Sequence, residues 1–89
     1  MRIILDGEKI QSKQSLYDVL FQSLELPKDY GRNLDAISEY LTDPGSPVEI
    51  VLRNTAGLKK ALQGYYVRLL FMLTDTMHRT ARLTVTMEE

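Results

Sequence analysis

Tyr30-Gly31-Arg32-Asn33-Leu34-Asp35-Ala36-Ile37-Ser38-Glu39-Tyr40-Leu41-Thr42-Asp43 changes character at its fourth residue. Upstream, Lys28-Asp29-Tyr30-Gly31-Arg32 follows Pro27 without an apolar repeat and reads as a loop. Asn33 is a good cap, since its side-chain oxygen can accept from the orphan N–H groups of a first helical turn. Leu34, Ile37 and Leu41 then recur at helical spacing, and Asp43-Pro44-Gly45 ends the element. Asp35, Glu39 and Asp43 fall at i, i+4 and i+8 along one face, with no Lys or Arg between Asn33 and Asp43. Such like-charged pairs cost a helix about 0.2–0.5 kcal/mol each. Asp35 offsets part of this at the positive helix N-terminus, whereas Glu39 and Asp43 do not.

Outward from this helix, the pattern alternates strands with helices. Ile3-Ile4-Leu5, closed by Asp6-Gly7, predicts a strand buried on both faces. An Asp-Gly hairpin into Glu8-Lys9-Ile10 is a poorer fit, because the segment that follows is polar. Ser15-Leu16-Tyr17-Asp18 matches a capping box and opens a helix over about residues 15–25, with Leu16, Val19, Leu20 and Leu24 on its apolar side. Downstream, Pro47 to Arg53 contains Val48, Ile50, Val51 and Leu52, a second strand that is mostly buried. Asn54 or Thr55 caps a brief helix that Gly64 closes. Tyr66, Leu69, Leu70, Leu73 and Met77 mark a longer helix, and Leu83, Val85 and Met87 alternate with polar residues in a strand wet on one side. The order β-α-α-β-α-α-β predicts one α/β domain over residues 1–89: a three-stranded parallel sheet with four helices and right-handed crossovers.

Composition removes several classes of function. The chain has 89 residues, 44% of them hydrophobic, which suits one ordinary globular core. Without cysteine there are no disulfides, iron–sulfur clusters or cysteine zinc sites. Eleven basic and twelve acidic residues leave a net charge of −1, a poor match for a nucleic-acid backbone. The lone His78, beside Arg79 near a helix end, lacks the convergent ligands of a metal site and suits the negative pole of the dipole instead. No Gly-x-Ser-x-Gly elbow or glycine-rich phosphate loop occurs, so neither a cofactor nor a metal is expected. Tyr65-Tyr66 resembles a base-stacking platform, but Tyr66 lies on the apolar stripe and suits the core better. No apolar run reaches the ~20 residues of a membrane span. The N-terminus meets a charge after three apolar residues, so the mature chain is expected to begin here and to remain in the cytoplasm. The acidic face itself admits three readings: a solvated surface, a docking surface for a cationic groove, or paired carboxylates for acid–base catalysis. The last needs a pocket that perturbs one carboxyl, and an open helix face offers none.

From Leu26-Pro27 to Thr42-Asp43 the chain resembles the barstar family, bacterial intracellular inhibitors of barnase-type secreted ribonucleases. Tyr30-Gly31-Arg32-Asn33-Leu34-Asp35-Ala36 holds every fixed position of the family's tyrosine-glycine-x-asparagine-leucine-aspartate-alanine signature. The similarity extends to chain length, to the opening strand before Asp6-Gly7 and to the order of elements. It implies a barstar-like fold and no catalytic activity. The implied partner is a basic ribonuclease or ribonuclease-like toxin, whose active site the second helix and the preceding loop would plug.

Carried over position by position, Asp35 is an acidic contact, and Glu39 stands where the family's main anchor is usually an aspartate. Thr42 and Asp43 belong to the helix end that borders the enzyme, while Tyr30, Gly31 and Asn33 belong to the loop that approaches the cleft. Asp29 and Ser38 occupy positions where barstar presents aromatic rings, and the loop around Ser46 lacks one too. A further acidic contact falls at Asp75 or Thr76 on the last long helix. These departures point to a ribonuclease other than barnase, or a diverged toxin, met by a monomer. A regulatory or self-associating module without a nuclease target is the alternative.

Overall fold

Three strands and four helices alternate along the chain in the computed structural model, which describes residues 1–88. They are β1 (Arg2–Asp6), α1 (Lys13–Leu24), α2 (Leu34–Thr42), β2 (Val48–Arg53), α3 (Thr55–Leu62), α4 (Gly64–Arg79) and β3 (Leu83–Glu88). The strands are parallel in the order β1-β2-β3, which puts β2 at the centre. Parallel neighbours require crossovers, supplied by α1 with α2 and by α3 with α4. This is the α/β architecture that the pattern of apolar residues predicts.

Strand register sorts the apolar side chains onto one face. Ile3 lies opposite Ile50, which lies opposite Val85; Leu5, Leu52 and Met87 form the next inward row. Most of these side chains share one core with Leu16 and Leu20 of α1, Leu34, Ile37 and Leu41 of α2, Leu58 of α3, and Tyr66, Leu69 and Leu73 of α4. Along β3 burial fades from Leu83 to an exposed Met87. Tyr66 is buried, as its place on the stripe predicts, while Leu70 and Met77 are half-buried. His78 is exposed, and its Nδ1–H donates to the Thr74 carbonyl at 2.8 Å, closing the last turns of α4.

The expectation that β1 is buried on both faces is wrong. Ile3 and Leu5 are 1% and 0% exposed, but Ile4 is 37% exposed. All four helices send their apolar residues to the same side of the sheet, so the Ile4–Val51–Thr86 row faces away from them. Val51 is nonetheless fully buried in the middle of that outer face. Around it, Arg2 pairs with Glu49 and Glu88 at 3.4 Å, Arg53 pairs with Glu88 at 2.8 Å, and the Thr86 hydroxyl donates to Glu49 at 2.8 Å. The aliphatic stems of long charged side chains can shield apolar surface in this way while their ends neutralise one another.

Two boundaries also differ from the sequence reading. Helix α1 starts at Lys13, because Ser12 is the cap and Ser15 completes the box: Ser15 N–H donates to Ser12 Oγ at 3.2 Å and Ser12 N–H to Ser15 Oγ at 3.1 Å. Asp18 is therefore free of capping and pairs with Arg32 at 2.8 Å. Gly64 does not close α3. The turn falls on Gln63, at φ 52° and ψ −128°, and Gly64 already belongs to α4. Gln63 N–H donates to Lys59 O, ending one helix, while Gln63 O accepts from Tyr66 N–H in the first turn of the next. Asp6-Gly7 forms no hairpin. A Cβ on Gly7 would stand 2.0 Å from Asn54 O and 2.6 Å from Leu58 N, so glycine lets the start of α3 dock on the strand end.

Candidate functional site

The acidic helix is held at three places. At its N-terminus Asn33 Oδ1 accepts the Ala36 N–H at 2.8 Å, the predicted cap. In its middle Leu34, Ile37 and Leu41 are buried. At its C-terminus, where acidic residues and the dipole oppose each other, Arg82 supplies the compensation. Its guanidinium donates to the carbonyls of Tyr40 (2.8 Å), Asp43 (3.0 Å) and Ser46 (2.8 Å) and lies 5.0 Å from the Tyr40 ring centroid. A cation thus satisfies carbonyls that the last turn leaves open.

The tyrosine-glycine-x-asparagine-leucine-aspartate-alanine motif acquires a physical meaning here. Tyr30 donates its hydroxyl to the Ala36 carbonyl at 3.0 Å, and its ring packs edge-on against Phe21 and Tyr40. Gly31 passes so close that a Cβ would sit 3.0 Å from both Ala36 Cβ and Asn33 Nδ2. Leu34 enters the core, and Asp35 points out at the positive end of the dipole. The variable position, Arg32, clamps the loop to α1 by donating to Asp18 (2.8 Å) and to the Gln14 carbonyl (3.1 Å). Its guanidinium also lies 5.0 Å from the Phe21 ring centroid. Burial, and then the negative charges of Glu39 and Asp43, push the Tyr30 phenol above its ordinary pKa. The loop is therefore shaped before any partner arrives.

Asp29, Asn33, Asp35, Glu39 and Asp43 are exposed, and Tyr30, Gly31 and Thr42 are half-buried. Among the described residues, Asp35, Glu39 and Asp43 form no ion pair, whereas Asp75 on α4 pairs with Arg79 at 2.9 Å. Asp35, Ser38, Glu39, Thr42 and Arg79 line a shallow concavity of about 240 Å³. Asp35, Ser38 and Arg79 also line a second one of about 360 Å³, together with Leu34, Arg68, Phe71, Met72 and Asp75. The two make one open groove between α2 and α4. Asp75 lies in it, and Thr76 does not: Thr76 is fully buried.

Ser38 sits beneath this groove rather than on its rim, 6% exposed. Arg79 donates to Ser38 Oγ at 3.2 Å, Ser38 to Thr76 Oγ1 at 2.8 Å, and Thr76 to the Met72 carbonyl at 2.7 Å. This chain of hydroxyls fastens α2 to α4, and the exposed Arg79 spends its charge on Asp75, its neighbour one turn back on α4. Sequence reasoning missed the bond from Arg79 to Ser38, 41 residues away, although the i,i+4 spacing of Asp75 and Arg79 is a local signal for their ion pair. It also missed Phe71, 72% exposed on α4, although an aromatic outside the Tyr66–Leu69–Leu73 stripe is a usable signal.

A larger concavity, about 520 Å³, lies elsewhere, between Gly7-Glu8 and the start of α3, and Asp35, Glu39 and Asp43 do not line it. Among the described residues no three His, Asp or Glu side chains converge as metal ligands, and no helix is long and apolar enough to cross a membrane. What the α2 surface can do chemically is present unpaired carboxylates on a braced frame to a cationic surface.

Comparison with known proteins bears on the family of the chain. The chain is 41% identical over 54 residues to a Bacillus subtilis (strain 168) protein named "Putative ribonuclease inhibitor YrdF", an alignment covering 60% of this chain and 59% of that relative. A family model described as "Barstar (barnase inhibitor)" matches residues 1–88, and with that coverage the chain belongs to the barstar family.

Proposed function

We propose that this protein inhibits a basic ribonuclease by covering its active site with α2 and the loop before it. A ribonuclease site is built from cations that hold a polyanion, and carboxylates are compact anions that Arg grips with two hydrogen bonds. The observation that carries the reading is the trio Asp35, Glu39 and Asp43, exposed on one face without a counter-ion among the described residues. The bracing by Asn33, Tyr30 and Arg82 supports it, because a preformed surface loses less conformational freedom on docking. Membership of an inhibitor family and a relative named as a ribonuclease inhibitor support it too. The protein then acts as a binding partner in the cytoplasm, without a cofactor and without turnover.

The test is titration of small basic bacterial ribonucleases with the purified protein, followed by Glu39→Ala and Asp35→Ala. Truncating one partner of a desolvated charge pair typically costs about 2–5 kcal/mol of binding. Glu39→Ala is expected to raise the inhibition constant by about 30-fold or more, and Asp35→Ala by less. Both exposed residues leave the melting temperature nearly unchanged. Two variants that inhibit as tightly as the parent would remove the acidic face from the mechanism.

A further inference from the structure

Helix α3 starts without a cap. Asn54 stands at the N-cap position, but its side chain turns to β1, donates to Asp6 Oδ1 at 2.7 Å and makes no bond to the helix. The Asn54 carbonyl accepts from Gly57 (2.9 Å) and Leu58 (3.2 Å). Among the described residues nothing accepts from the N–H groups of Thr55 and Ala56, and both residues line the concavity of about 520 Å³. A second orphan stands beside them. Thr55 is only 7% exposed, yet its hydroxyl bonds to no described residue. Tyr66 Oη is the one fully enclosed side-chain polar atom without a partner among the described residues, so the Thr55 hydroxyl keeps an opening, and the concavity that Thr55 lines supplies it. A polar group so nearly buried calls for a partner.

We propose that this concavity binds a phosphate group, free or esterified to a small molecule, on the Thr55 and Ala56 amides, the Thr55 hydroxyl and the Lys59 ammonium. Charge alone does not choose the occupant. Lys59 lines this concavity, Lys60 lines the adjoining one of about 390 Å³, and Glu8 lines both. The directed donors choose it. Two open amides at a helix N-terminus, where the dipole is positive, meet a free hydroxyl and, one turn on, an exposed ammonium. A tetrahedral phosphate offers three oxygens to such a set, whereas a carboxylate offers two. Glu8 enters from the β1 end and opposes a ligand that is anionic throughout, which favours one compact phosphate over a nucleic-acid strand. The site stands apart from the inhibitor reading, because Asp35, Glu39 and Asp43 do not line it.

The experiment follows backbone amide resonances of the full chain by NMR during titration with inorganic phosphate and with glycerol phosphate. Acetate and chloride at equal ionic strength are the references. The Thr55 and Ala56 amides are expected to shift saturably with both phosphates, with a dissociation constant on the order of 1 mM, and to stay in place with acetate and chloride. Thr55→Val keeps the side-chain shape without the hydroxyl and should raise that constant about 10-fold. Lys59→Ala, at an exposed position, should raise it about 3-fold and leave the melting temperature unchanged. Whichever phosphate saturates at the lower concentration identifies the source, and either order supports the site. Amides that move alike in acetate or chloride overturn the proposal, as do two variants that titrate like the parent. No ribonuclease enters the measurement, so its failure leaves the inhibitor reading where it stood.

Discussion

Two surfaces of this small protein are rich in charge, and they treat it in opposite ways. On the outer face of the sheet, Arg2, Glu49, Arg53 and Glu88 answer one another around the buried Val51. Among the described residues, Asp35 and Glu39 on α2 and Asp43 at its end are left without a cation of their own, and Arg79 reaches Asp75 and Ser38 instead. The first surface pairs both of its arginines with its own glutamates and shields Val51 on the side of the sheet that the helices leave open. The second keeps its repulsion, which a helix tolerates at a cost of tenths of a kcal/mol per pair and which an external cation would relieve. Charge matched within the molecule serves the fold, and charge left unmatched is available to a partner.

The sharpest way to break that contrast is to reverse one charge on each surface. Glu39→Lys is expected to weaken association with the ribonuclease about 1,000-fold, roughly 4 kcal/mol, and to leave thermal unfolding where it was. Glu88→Lys removes the shared partner of Arg2 and Arg53 and should cost about 1 kcal/mol of folding stability while inhibition persists. Urea titration and inhibition assays on both variants decide it. A Glu88→Lys protein that loses inhibition at full stability would reverse the assignment of the two faces.

A smaller effect tests the junction beneath the acidic surface. Ser38→Ala deletes the hydroxyl between Arg79 and Thr76 and should cost about 1 kcal/mol by urea titration, because Thr76 still donates to the Met72 carbonyl. Its effect on inhibition should be smaller than that of Glu39→Ala, since Ser38 supports the face without facing outward.

The smallest expected effect belongs to the outer face and depends on pH. The Asn54 amide, 2.7 Å from Asp6 Oδ1, and the Glu8 N–H, 2.9 Å away, hold the Asp6 carboxyl below its usual value. A carboxyl lowered in the folded state contributes its stability fully above the ordinary carboxylate range. That contribution is lost as pH falls through the lowered folded value. Asp6→Asn should therefore lower stability slightly near neutrality, where the contribution is fully present, and flatten the acid side of a stability–pH curve. An unaltered acid side would mean that these hydrogen bonds carry no linkage.

Part of the candidate site is legible from residue order alone. The Asn33 cap, the Leu34–Ile37–Leu41 stripe and the acidic face opposite it follow from local geometry, and all three recur in the fold. The misreadings are of two kinds, a neighbouring residue that takes over a capping role and a distant element that packs where local pattern cannot see it. Ser15 looks like a cap until Ser12 takes the role three residues earlier, and Gly64 looks like a helix stop until Gln63 absorbs the turn at positive φ. Ile4 reads as doubly buried because periodicity cannot say on how many sides helices will pack. Ser38 reads as a surface residue until α4 arrives above it.

Periodicity, capping chemistry and charge spacing act within a few residues of one another, so the order of elements, the parallel sheet and the acidic helix were determined by the sequence itself. Arg82 lies 42 residues from the Tyr40 carbonyl it satisfies, and Arg79 lies 41 from Ser38. Pairings at that separation exist only after the helices dock, because the chain between is free to place those groups anywhere until the core forms. Which carboxylates stay unpaired, and which aromatic ring stands beside them in water, was therefore decided by the tertiary structure.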